Sequence, residues 1–133
     1  MCWKVKRRGR LHDYIAHLAP VRLLSEANLR EHWAIKQRRK IQQQQDTYLA
    51  MTAALRNRKV QLPCVITLTR VGARMLDPDN LANSFKAVQD AIAKRLGIDD
   101  GDQSKVRWVY EQRATGKREY GLEVKIEAAE AAA

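Results

Sequence analysis

The sequence predicts one α+β domain of two layers, a mixed β-sheet with helices packed on one face, in the rough order β-α-β-α-β-β. Three observations predict it. Between Ser25 and Arg58 there is no Gly or Pro, and Trp33, Ile41, Tyr48, Met51 and Leu55 recur near helical spacing. The stretch "VQLPCVITLTR", residues 60–70, then switches the period to two, as do two later stretches, and helix and strand patterns follow one another along the chain. Finally, 133 residues that are 45% hydrophobic are enough for one core without disulfide or metal staples. The expectation is a single domain over residues 1–133.

Taken in order, residues 1–24 are mixed basic and apolar with Pro20 near their end, and read as a short strand or arm followed by irregular chain. Ser25 and Asn28 are acceptable N-caps for a long helix running to about Arg58. The four glutamines at 42–45 lie inside that pattern and read as its solvated face. In the strand that follows, Val60, Leu62, Cys64, Ile66 and Leu68 share a face; Pro63 marks an edge strand or a strand start, and Gly72 ends it. A second helix is expected over 79–96, stopped by Gly97. After it, "KVRWVYEQR" and "EYGLEVKIE" alternate as two strands, and the "ATGK" between them predicts a hairpin. Their aromatic and apolar residues Trp108, Tyr110, Tyr120 and Leu122 are candidate interface material, and "EAAEAAA" reads as a frayed tail or helical stub.

The formal net charge of +10 is unevenly placed. Residues 1–59 carry 14 Lys and Arg against 4 Asp and Glu, whereas residues 60–133 carry 11 of each. A basic half of this strength is the electrostatic footprint of a polyanion partner, with nucleic acid ahead of an anionic membrane surface. No apolar run approaches the roughly 18 residues of a spanning helix, and no signal-peptide pattern opens the chain, so a cytoplasmic setting is expected. Cys2 and Cys64 lie far apart, with neither CxxC nor His spacing, which indicates neither a disulfide framework nor a zinc site.

Against this basic background, "RMLDPDNLANSFKAVQDAIAKRLGIDDGDQ", residues 74–103, gathers six aspartates. On a helical wheel with Asp79 at zero, Leu81, Phe85, Val88, Ile92 and Leu96 fall between about 180° and 260°, a core-facing stripe. Asn83, Lys86 and Asp90 fall within about 40° of Asp79 on the opposite side. Taken singly, each aspartate is well explained as a cap or a turn residue: Asp77 precedes Pro78 at a helix start, and "DDGDQ" is a Gly-containing turn. Taken together, D-x-D at a strand-to-helix junction, a second acidic group one helix later and a lysine between them make an oxygen-rich donor set. That chemistry suits a hard cation such as Mg²⁺, which keeps waters and substrate phosphates in its shell.

The series "DPDNL", a lysine on the following helix, "QDAI" and "GIDDGDQ" resembles the RusA family of Holliday-junction resolvases and their phage-borne relatives, over roughly residues 60–128. The stretch "SEANLREHWAIKQRRK" extends the resemblance to about residue 25. It implies a homodimeric, Mg²⁺-dependent endonuclease of branched DNA, with Mn²⁺ as a possible substitute, working in the cytoplasm of a bacterium or phage-infected host. Carried over by position, Asp77, Asp79 and one of the paired aspartates, Asp100, become the metal-binding acids, and Asn80 matches the family asparagine. The family lysine falls at Asn83 here, and the nearest lysine is Lys86, one turn on. The arginine run before the first aspartate is reduced to Arg74.

In such a site the cation would neutralise the scissile phosphate and acidify an attacking water, while Lys86 offsets charge developing on oxygen. No histidine is needed, and His12, His17 and His32 are scattered. In the basic half, Lys36 and Lys40 stand at i, i+4 with Arg39 alongside and Arg38 further round, a cluster expected to position DNA through its phosphates. Trp3 and Trp33 read as packing residues rather than base-stacking platforms. Two other readings share these residues: a non-catalytic DNA-binding recombination accessory protein, whose aspartates are only caps and turns, and a same-fold nuclease acting on flaps or RNA–DNA hybrids.

Overall fold

A computed structural model of the chain describes residues 5–6, 14–18, 22–23, 32–56 and 59–129. Its elements are strands β1 (Val5–Lys6) and β2 (Tyr14–Leu18), helix α1 (Trp33–Leu55), strand β3 (Cys64–Gly72), helices α2 (Pro78–Ser84) and α3 (Lys86–Leu96), and strands β4 (Val106–Ala114) and β5 (Gly121–Ala128). The five strands form one mixed sheet in the order β1-β2-β5-β3-β4. The α+β expectation holds, with two N-terminal strands in place of one. Helix α1 is capped by His32, whose Nδ1 accepts from the Ala34 amide at 3.2 Å, in place of the expected Ser25 or Asn28; these two, Trp3, Cys2 and the chain end beyond 129 lie outside the described residues.

The core forms where the period-two face of β3 meets the helices. Cys64, Ile66 and Leu68 from β3 and Leu122, Val124 and Ile126 from β5 are buried together with Met51 and Leu55 from α1 and Phe85, Val88 and Ile92 from the α2–α3 region. At roughly 1.5–3 kcal/mol per large apolar side chain, these residues supply most of the drive to fold. The alternate residues Val65, Thr67, Glu123, Lys125 and Glu127 are only partly buried, so the sheet carries its helices on one face.

Three expectations are corrected. The last two strands are not a hairpin: β3 lies between them, parallel to β4 and antiparallel to β5. The 115–120 link instead crosses the end of β3, and the Thr115 amide donates to the Gly72 carbonyl at 2.9 Å. β3 is therefore a central strand, and Pro63 marks only its start, where a missing N–H costs no ladder bond. The expected 79–96 helix is broken at Phe85. Ser84 Oγ donates to the Leu81 carbonyl at 2.6 Å, taking the acceptor a continuous helix would offer to Phe85, whose amide turns to Ala82 at 3.2 Å. Gly97 ends α3 in the left-handed region, φ 69°, as expected.

The stripe expected on α1 is also displaced. Trp33 (71% exposed), Ile41 (50%) and Tyr48 (39%) face outward, while Gln43 and Thr47 are buried with Ala50, Met51, Ala54 and Leu55. Gln43 is no solvated glutamine: its Nε2 donates to the Arg22 carbonyl at 2.9 Å, which makes burial of an amide tolerable. Small alanines let the second half of α1 lie close on the core. The helix ends at Leu55, where Arg95 of α3 donates to the Arg56 carbonyl at 3.3 Å and to Thr52 Oγ1 at 2.8 Å, placing a cation at the helix C-terminus. Of the apolar residues expected at an interface, Leu122 is in this chain's own core, Trp108 packs against that core, and Tyr110 stacks on Phe85 with ring centroids 5.4 Å apart.

Candidate functional site

The acidic stretch begins where β3 hands over to α2. Asp77 is the N-cap of α2: its Oδ1 accepts from the Asn80 amide at 2.9 Å and its Oδ2 from Asn80 Nδ2 at 2.7 Å. Pro78 occupies the first helical position, where its fixed φ and missing N–H fit. Both oxygens of Asp77 and the side chain of Asn80 are thus engaged with each other. Asp79, in the first turn, is exposed and completes the charge complement of the helix N-terminus.

One helix later the turn 99–105 sorts its three aspartates. Asp99 Oδ1 accepts from the Gly101 amide at 3.0 Å, and Asp102 Oδ1 accepts from the Ser104 amide at 3.0 Å and from Ser104 Oγ at 2.5 Å, which holds the Asp102 carboxyl below the usual carboxylate range. These two carboxylates lock the turn. Asp100 is the one that reaches back to α3: its carbonyl accepts from Trp108 Nε1 at 2.9 Å, and its carboxyl lies close enough to Asp90 to act on it. Partial desolvation and then the neighbouring Asp100 carboxyl push the Asp90 carboxyl upward, while Lys40 of α1 and Lys86 of α3 pull it down. Tyr110 lies at the edge of the pair; burial first and the Asp100 charge after it raise its phenol, against a lowering hydrogen bond to Gln89.

The polar face expected on the wheel is present, since Asp79, Asn83, Lys86 and Asp90 are all exposed. The break at Phe85 divides it between α2 and α3. Among the described residues no group of three or more His, Cys, Asp and Glu converges on one point, so Asp77, Asp79 and Asp100 are not gathered as a ready-made cage. What converges instead is Asp90 with Asp100, and Asp90 was not singled out as a ligand by the sequence. Its signals there are its place on the same face as Asp79 and its position in the "QDAI" element of the resemblance.

Beside the pair lies a groove of about 320 Å³ between α1 and the α2–α3 junction, lined by Lys36, Gln37 and Lys40 on one wall and Asn83, Ser84 and Lys86 on the other. Lys36, partly buried, and Lys40, exposed, stand one turn apart and line the groove, whereas Arg38, exposed, and Arg39, partly buried, lie outside it. Arg74 is exposed in the link before α2, its carbonyl accepting from Arg70 Nη1 at 2.8 Å. Among the described residues no helix is long and apolar enough to cross a membrane. No model of a known protein family matches the chain, and no curated protein matches it.

Proposed function

We propose that this chain is a Mg²⁺-dependent endonuclease of branched DNA, a four-way junction in particular, acting as a homodimer with one site per chain. The observation that carries the proposal is the groove that Lys40 of α1 and Lys86 of α3 line from opposite walls, next to the neighbouring carboxyls of Asp90 and Asp100. Two carboxylates pressed together, one of them held above its usual range, are a like-charge contact that a divalent cation relieves. The donors are carboxylate oxygens, the class that hard cations take, so the residues suit Mg²⁺. Asp100 and Asp90 would hold it, with Asp79 the exposed acid that remains in the motif; Asp77 is occupied as a cap. When bound, the ion supplies charge neutralisation at phosphate and an acidified water.

The rest of the work falls to this chain's side chains. Lys40 and Lys86 attract a phosphodiester to the acidic pair, which alone would repel it. Lys86, one turn before Asp90 on α3, would offset negative charge on the strand as it enters the acidic pair. Arg38, Arg39 and Arg74 add phosphate contacts that position the duplex without reading its sequence. Support for a two-chain assembly comes from α1, which exposes Ile41, Tyr48 and Leu49 to solvent. A two-fold substrate that needs two matched cuts is most simply met by a two-fold enzyme.

The accessory-protein reading gains from the same structure, because Asp77, Asp99 and Asp102 all serve caps and turns. A synthetic four-way junction and its matching linear duplex, each incubated with Mg²⁺ and with EDTA, separate the two. Paired nicks in the junction with Mg²⁺ alone are expected. Binding without nicks under every condition leaves the accessory protein.

A further inference from the structure

The groove between α1 and the α2–α3 junction has a chemistry of its own. Its charged lining is three ammonium groups, Lys36, Lys40 and Lys86, and its neutral polar lining includes the side chains of Gln37 and Asn83. Among the described residues no carboxylate lines it; Asp90 and Asp100 lie just beyond, close enough for Lys40 and Lys86 to act on Asp90. Three cations are gathered from two helices 46 residues apart in sequence, Lys40 to Lys86, so their approach is a product of the fold and not of a basic run.

We infer that this groove is a phosphate subsite that seats one backbone phosphate of a DNA strand between Lys40 and Lys86, with Lys36 behind it and the Asn83 amide as a neutral donor. The inference rests on the nuclease reading for its substrate and deepens it by fixing where the strand lies. A phosphate fits better than a carboxylate ligand: its several oxygens accept from ammonium groups on both walls at once, and Lys serves phosphate as a point charge. The next phosphate along the strand then falls towards Asp90 and Asp100. The mixed sign of the neighbouring groups gives the site a direction, with cations seating one phosphate and acids awaiting the next.

The test needs neither cation nor cleavage. A labelled single-stranded oligonucleotide is titrated in EDTA across a salt series, with wild-type protein, Lys40→Gln, Lys86→Gln and the double variant. Neutralising one phosphate of a single strand contributes about 0.7 to the slope of log affinity against log salt. If the two lysines share a phosphate, the double variant loses about 0.7. A loss of about twice that means two separate phosphates, and an unchanged slope means none; either overturns the inference. Amine acetylation read by mass spectrometry adds a second measure on the unaltered protein: the oligonucleotide protects Lys40 and Lys86 together and leaves Lys105 and Lys117 reactive. Protection of neither Lys40 nor Lys86 also overturns it. A chain with the shared slope and footprint that never nicks a junction keeps the subsite and loses the nuclease, and nicking with an unchanged slope does the reverse.

Discussion

Gln112 of β4 holds both backbone polar groups of Leu76: its Nε2 donates to the Leu76 carbonyl and its Oε1 accepts from the Leu76 amide, each at 2.8 Å. A side chain here does what a neighbouring strand does elsewhere. Leu76 immediately precedes Asp77, and on the other side of the link the buried Arg70 reaches Arg74 and packs over Gly72, where a Cβ would come within 2.7 Å of its Nη1. The start of α2, and with it Asp79, is therefore fixed to two strands by two long side chains.

Replacing Gln112 with Leu removes both bonds and leaves two partly buried backbone groups unpaired, an expected cost of about 2 kcal/mol. Gln112→Glu keeps the acceptor and loses the donor, so it should fall between. Urea unfolding midpoints rank the three proteins. Equal midpoints for the wild type and the Gln112→Leu variant would show that the link is held by something else.

The Asp90–Asp100 contact makes stability depend on pH in a defined direction. Because the folded state raises the Asp90 carboxyl, it binds more protons than the unfolded chain between the unfolded and folded pKa values, and stability falls as pH rises through that window. The penalty is complete at neutral pH and absent once pH drops below the usual carboxylate range. Asp90→Asn should therefore raise the unfolding temperature at neutral pH and give no advantage at acid pH. Mg²⁺ should raise the unfolding temperature of the wild type and have less effect on this variant; thermal scans at two pH values with and without the ion check both statements.

The sequence made one half of this region readable and hid the other. The wheel separated Leu81, Phe85, Val88 and Ile92, all buried, from Asp79, Asn83, Lys86 and Asp90, all exposed, because a surface helix must sort its faces. The same rule failed on α1. There Gln43 is buried because a carbonyl from Arg22 meets it, a contact between residues 21 apart that no periodicity carries, and Trp33 and Ile41 are exposed because the first half of the helix stands away from the core. Local turn residues suggested a hairpin from "ATGK", but β3 had a stronger claim to both partners. The pairing of Asp100 with Asp90 also needs the tertiary path of the 99–105 turn, since only the bonds of Asp99 and Asp102 leave Asp100 as the one aimed at α3.

Cys64 should be chemically silent in the folded protein. It is 1% exposed at the start of β3, and burial pushes its thiol up to about 11, so almost no thiolate exists near neutral pH. Alkylation by iodoacetamide at mildly alkaline pH, followed at the peptide containing residue 64, is expected only after denaturant is added. Rapid labelling of the native chain would mean that the β3 edge of the core opens readily.

The aspartates of the motif can be told apart because the fold uses them differently. Asp99→Asn retains an oxygen that can accept from the Gly101 amide, and Asp77→Asn retains one for the Asn80 amide, so both variants should keep their folded stability to within about 0.5 kcal/mol. Asp77→Ala, which cannot cap, should cost about 1 kcal/mol. Asp100→Asn changes no turn or cap bond made by a carboxylate, because its bond to Trp108 uses the backbone carbonyl. It removes the charge opposite Asp90, and its stability should be unchanged or slightly higher. Under the nuclease reading the order of activity is nevertheless reversed: Asp100→Asn should lower the junction-cleavage rate on the order of a hundredfold while Asp99→Asn stays near wild type. Single-turnover cleavage in Mg²⁺, with circular dichroism on the same preparations, measures both orders. Equal cleavage by the Asp99 and Asp100 variants would take Asp100 out of the reaction and leave it as a surface carboxylate beside Asp90.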